Sequence, residues 1–394
     1  MIAGVPREEF PGERRVALVP GVLSILAKAG IEVLVEAGSG GVAGFPDAEY
    51  AGKGATVTTS RDELFQKAEL ILSVRSLCSR GGEPSPDLPR LRPGQVVVGL
   101  LEPLADAAGM QRLARSGATA VSLELIPRTT RAQSMDVLSS MATLVGYRAV
   151  LLAAEALTRI FPMMTTAAGT IRPAKVLVVG AGVAGLQAIA TAKRLGAVVE
   201  AYDVRPAVKE QIESLGARFV ELPLETAGAQ DAGGYAKAQS DDFLRKQREL
   251  MARVVAASDV VISTAAVPGK KAPVLITKDM VEGLRPGAVI VDVAAEQGGN
   301  CELTRVGERL EAFGVTIIGP TSVASALAYD ASQMYARNVT TFLAHALKSG
   351  LTAPAPADEI VRETRVTHAG EVVQPRVREA LGLPALPSPQ PAGA

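Results

Sequence analysis

Short runs of β-branched and apolar residues alternate along this chain with stretches of helical period. Residues 31–35, 70–74 and 95–100 read as strands, and 1–7 reads as a strand running into a turn. Between them, 22–29, 61–67 and 108–115 repeat apolar positions three and four residues apart, as helices with one buried face do. That alternation predicts parallel sheets covered by helices. A second series begins at Lys175, with strands predicted over 175–179, 198–202, 218–220, 260–263, 288–292 and 316–318. Strands in that number, separated by helices, describe a doubly wound sheet of the nucleotide-binding kind.

Two longer helical stretches, 134–160 and 322–348, flank the second series. The first is too long for an ordinary crossover and reads as a bridge between domains. The second leads back to the first domain, which is then discontinuous. The expected fold class is α/β, with two doubly wound domains linked by long helices around a cleft. One of them is a Rossmann-type six-stranded parallel sheet. The expected boundaries are 1–139 plus 326–380 for the flanking domain, 140–325 for the Rossmann domain, and 381–394 for a Pro- and Ala-rich flexible tail. Residues 360–373 alternate around Ala369-Gly370 and predict a small hairpin. The connection 221–242, with Gly233-Gly234-Tyr235, is long enough to suggest a functional loop.

Composition removes several function classes. The chain has 394 residues, 48% hydrophobic and 21% charged, so it can bury two sizeable cores. Lys plus Arg equals Asp plus Glu at 41 each, and the zero net charge gives no electrostatic footprint for nucleic acid or an anionic membrane. Cys78 and Cys301 are far apart and the two histidines are His345 and His368, so neither a disulfide framework nor a metal site is expected. No signal peptide opens the chain. The most apolar stretch, 141–157, is interrupted by Arg148 and Glu155, so no direct membrane insertion is expected and the chain is placed in the cytoplasm.

Gly180-Ala181-Gly182-Val183-Ala184-Gly185 is a GxGxxG that follows a predicted strand and opens a predicted helix. The next strand ends in Asp203, the spacing of a dinucleotide fingerprint. In that reading Gly180 makes the tight turn, Gly182 lets backbone N–H groups approach the pyrophosphate, and Gly185 lets helix and strand pack closely. The helix N-terminus supplies partial positive charge. Asp203 can accept two hydrogen bonds from the adenosine ribose and repels a 2′-phosphate, which favours NAD(H). Arg205 offers the opposite possibility, a cation for that phosphate, and Asp203 is weighed more heavily because it ends the strand.

The segment 127–140, PRTTRAQSMDVLSS, closely resembles a loop signature of proton-translocating transhydrogenase, and specifically of its NAD(H)-binding component. The resemblance continues through the glycine motif, Asp203-Val204-Arg205-Pro206, 233–237 and 264–270, and covers the chain to about Ser349. It implies that Arg128 and Asp136 hold the nicotinamide ring and its carboxamide with Ser139 alongside. It further implies that Gln133 reaches the ribose of partner-bound NADP(H), that Gly234 and Tyr235 sit on a loop closing over NAD(H), and that Gln247 and Ala266 line the pocket. The implied partners are an NADP(H)-binding subunit and a small membrane subunit. A homodimer and a peripheral position on the inner face of the membrane are implied as well.

Alanine dehydrogenase is the fold relative and the competing reading. Its shared arginine, here Arg15, binds the carboxylate of pyruvate in that family. A substrate-binding lysine and an acid–base histidine of that family stand where this chain has Arg75 and Glu102. Loss of both groups fits direct hydride transfer between two nicotinamides, which needs positioning and no proton donor at the reacting carbon. A non-catalytic NAD(H)-binding module remains a third possibility.

Overall fold

The computed structural model describes residues 1–79, 82–221, 241–267, 269–353 and 356–386. Strands β1–β6 are Ile2–Val5, Glu32–Glu36, Thr56–Thr58, Leu70–Leu72, Val96–Gly99 and Thr119–Ser122. Strands β7–β15 are Met164–Thr166, Gly169–Ile171, Lys175–Val179, Val198–Tyr202, Arg218–Phe219, Val260–Ser263, Val289–Asp292, Arg309–Ala312 and Val315–Ile318. The last two, β16 and β17, are Arg365–His368 and Glu371–Val372. Helices α1–α4 are Leu23–Lys28, Asp47–Gly52, Arg61–Lys67 and Ala107–Ala114. Helices α5–α8 are Val137–Ala156, Val183–Arg194, Lys209–Ser214 and Asp241–Ala256. Helices α9–α12 are Lys278–Glu282, Ala328–Ala346, Glu359–Thr364 and Pro375–Ala380.

The chain divides into two compact units, residues 1–141 with 325–394, and residues 142–324. In the first, the sheet runs β17-β16-β6-β5-β4-β1-β2-β3. The six strands from β6 to β3 are parallel and doubly wound, and β16 joins antiparallel to β6. Leu64, Phe65, Ile71, Val97, Met110 and Val366 form the core on one face, each 2% exposed or less.

In the second unit the sheet runs β11-β10-β9-β12-β13-β15-β14. The six predicted strands are present and parallel, and β14 extends the sheet antiparallel to β15. The β-branched runs of β9, β12 and β13 are buried on both faces, as a sheet covered by helices requires.

Three local expectations change. The stretch 134–160 is not one helix: a 3-10 turn over Thr130–Met135 precedes α5, because Asp136 breaks the run and caps α5 through Ser139. Helix α5 is long and apolar enough to cross a membrane by length and composition despite Arg148 and Glu155. Ala149, Val150 and Ala153 on it are nonetheless fully buried in the second unit's core. The first half of the predicted 360–373 hairpin is helix α11, started by Asp358, whose carboxylate accepts the Val361 amide at 3.1 Å. Only β16 and β17 form the hairpin, around Ala369 and Gly370, both at positive φ.

Candidate functional site

The glycine motif lies where β9 enters α6. Gly180 has φ +95°, and a Cβ there would stand 3.0 Å from the Ala265 amide nitrogen. A Cβ on Gly185 would fall 1.8 Å from the Gly180 carbonyl oxygen, so the first turn of α6 packs backbone to backbone on the loop. Around Gly182 an added Cβ meets nothing within 4 Å. Gly182 caps α6 without a side chain, and the first turn of this 12-residue helix has no acidic residue. Val183 and Ala184 begin that turn, Ala184 half-buried. The helix therefore presents uncapped amides beside an open space, the arrangement that suits a pyrophosphate.

Asp203 ends β10 and is 8% exposed. Its Oδ2 accepts the Ala181 amide at 2.7 Å, and its Oδ1 accepts the Arg205 amide at 2.8 Å. The Arg205 guanidinium donates to both oxygens, Nε to Oδ1 and Nη2 to Oδ2, each at 2.9 Å. Val204 is half-buried between them. Gln247 on α8 is 4% exposed and donates to the Tyr202 hydroxyl at 2.7 Å, while its Oε1 is buried with no partner among the described residues. Burial pushes that hydroxyl's pKa up to about 12. Ala266, half-buried, follows Ala265, whose amide and carbonyl are both held by the Asn300 side chain at 3.0 and 2.8 Å. Asn300 is itself fixed by the fully buried Asp292, which accepts the Asn300 and Cys301 amides and the Thr304 hydroxyl. Sequence reasoning missed Asp292 and Asn300, since a carboxylate that mainly serves backbone amides carries no motif. Gly234 and Tyr235 lie outside the described residues.

In the first unit, Arg128, Gln133, Asp136 and Ser139 fall on one continuous loop and helix start. Gln133 is exposed, whereas Ala132 and Met135 beside it are buried at 0% and 5%. Asp136 accepts the Ser139 amide at 2.9 Å and the Ser139 hydroxyl at 2.6 Å.

A family model, alanine dehydrogenase/PNT N-terminal domain, matches residues 4–145, and its C-terminal domain model matches residues 149–375. The chain belongs to the alanine dehydrogenase/PNT family. It is 44% identical over 378 residues to an NAD(P) transhydrogenase subunit alpha chain of Rhodospirillum rubrum, covering 95% of this chain and 98% of that relative. Among solved structures it matches the transhydrogenase of Sinorhizobium meliloti at 42% identity and TM-score 0.82, over 95% of this chain and 99% of that one. It also matches L-alanine dehydrogenase at 26% identity and TM-score 0.80, over 97% and 99%.

The family's two branches make the first unit's charged cluster informative. Arg15, 6% exposed, grips Glu13 through Nε at 2.7 Å and Nη2 at 2.6 Å. Burial opposes ionisation of Glu13, but the Arg15 bonds and charge outweigh it and lower its pKa. Arg75 pairs with Glu102 and lies over the Phe10 ring at 3.7 Å. Glu102 itself has φ +52°, and its amide donates to the buried Glu124. Glu8 accepts the Val74 and Arg75 amides at 2.5 and 2.9 Å, yet burial pushes its carboxyl up to about 7. His345 and His368, also in this unit, bond Asp358 and Thr119 at 2.9 Å each. Among the described residues no group of three His, Cys, Asp or Glu side chains could hold a metal.

Proposed function

We propose that this chain is the NAD(H)-binding component of a proton-translocating transhydrogenase. It holds NAD(H) so that a hydride passes directly to NADP+ bound by a partner subunit, with proton movement in a membrane partner. The reading is supported above all by the similarity to transhydrogenase alpha subunits along nearly the whole chain, together with the glycine turn around Gly182 and Asp203.

The proposed roles follow from the residues. The α6 amides and the space at Gly182 receive the pyrophosphate, and Asp203 receives the adenosine ribose diol with Val204 and Arg205 beside it. Ala266 and Gln247 shape the pocket wall, and Gly234 with Tyr235 closes over it and excludes water. Arg128, Asp136 and Ser139 orient the nicotinamide end, and Gln133 reaches toward the partner's nucleotide. When bound, the reduced dinucleotide supplies the hydride. The protein contributes orientation, because no proton moves at the reacting carbon. A homodimer held at the inner membrane face through its partner subunits completes the proposal.

The experiment is a pair of assays on the purified chain. NADH should bind, and pyruvate with ammonium should not oxidise it. Hydride should reach an NADP+ analogue only after the NADP(H)-binding subunit is added. Pyruvate-dependent NADH oxidation by the chain alone would instead assign it to the alanine dehydrogenase branch.

A further inference from the structure

We propose that Asn338 on α10 is a positioning residue for the loop that carries Arg128, Gln133 and Asp136. This rests on the transfer role proposed above and adds a residue that no sequence motif marks.

The 3-10 turn over Thr130–Met135 gives its backbone poorer internal bonding than an α-helix would, and its carbonyls need outside donors. Asn338 supplies one: its Nδ2 donates to the Ser134 carbonyl at 2.8 Å, one residue past Gln133. The side chain is 7% exposed, and its Oδ1 is buried with no partner among the described residues. A leucine would fill the same space without leaving an acceptor unpaired. An asparagine kept at that cost is explained by the single bond it makes to the loop.

Other tethers flank the same turn. Arg131 pairs at 3.0 Å with Asp358, which also holds His345 at 2.9 Å and caps α11. Met135 and Ala132 anchor the inner side, and Asp136 is locked into the start of α5. Gln133 is thus presented outward from a turn fixed on either side of it. Asn338 is the buried one of the two polar tethers, since the Arg131 side chain is 58% exposed. Preorganisation of this kind matters where a donor and an acceptor ring must meet at a fixed distance.

The test uses the full chain with Asn338→Leu and three readouts. Amides of residues 130–136 should exchange with deuterium at least about 10-fold faster, while those of α10 and the sheet are unchanged. Transfer to NADP+ with the partner subunit should fall at least about 10-fold. The NADH dissociation constant should stay within about twofold. Unchanged exchange in the loop, or faster exchange with undiminished transfer, overturns the proposal. If the leucine variant does not fold, Asn338→Asp keeps the size and turns the donor into an acceptor facing the Ser134 carbonyl, with the same expectations. Absence of transfer in the unsubstituted chain would count against the function proposed above, and the exchange readout would still decide the loop tether.

Discussion

Arg205 occupies both oxygens of Asp203, at 2.9 Å each, from the outer side of the glycine turn. With the Ala181 and Arg205 amides on the same carboxylate, each oxygen already accepts two bonds. A ribose diol that reaches Asp203 has to take the guanidinium's place. Arg205→Ala is therefore expected to tighten NADH by about 1 kcal/mol, roughly fivefold, because exchange with the guanidinium no longer opposes binding. Asp203→Ala should loosen it by about 2 kcal/mol. Titration by NADH fluorescence, free of tryptophan background because the chain contains no Trp, reads both. Weaker binding by the Arg205 variant would make that side chain a direct ligand.

The glycines separate fold from binding. Gly185→Ala would set a Cβ 1.8 Å from the Gly180 oxygen, and Gly146→Ala would set one 2.0 Å from the Ala184 oxygen. Each should cost about 3 kcal/mol or more of stability, seen as a lowered Tm or insoluble chain. Gly182→Ala has room, so its Tm should be unchanged, while NADH affinity falls at least about 10-fold if the pyrophosphate lies there. Full NADH affinity in that variant would remove Gly182 from the site.

Glu8 gives a pH dependence. Burial raises its carboxyl to about 7, so the folded state favours the neutral form. The associated stabilisation is complete below the unfolded value near 4.5 and is lost as pH rises through about 7. Glu8→Gln does not titrate. Its stability relative to the parent should rise between about pH 5 and 8, by an amount on the order of 2 kcal/mol. Any fixed penalty from the amide facing the Val74 and Arg75 N–H groups offsets both ends equally. A difference that is flat across this range would show that Glu8 is ionised throughout.

The strands were legible where the chain spells β-branched runs buried on both faces, as in Val176-Leu177-Val178-Val179 and Val260-Val261-Ile262. Strand β14 was not, because Arg309-Leu310-Glu311-Ala312 is a polar edge whose pairing with β15 comes from topology and not from apolar pattern. Helix α11 was missed although Asp358 is a ready N-cap, since the neighbouring Val366 and Val372 lent the stretch a period of two. The glycine turn and Asp203 were visible from spacing. The occupation of Asp203 by Arg205 and the Asn338 tether were not, because a side chain's choice of partner depends on contacts made after folding. The Asn338 bond, between residues 204 positions apart, has no local signature at all.

The most direct measurement follows the hydride itself. NADH deuterated at the transferring C4 position is mixed with this chain, the NADP(H)-binding subunit and an NADP+ analogue, and the reduced acceptor is analysed by mass spectrometry. The account predicts deuterium in the reduced acceptor, none in solvent, and no acceptor labelling when either subunit is omitted. Deuterium released to water, or delivered to pyruvate by this chain alone, would contradict it.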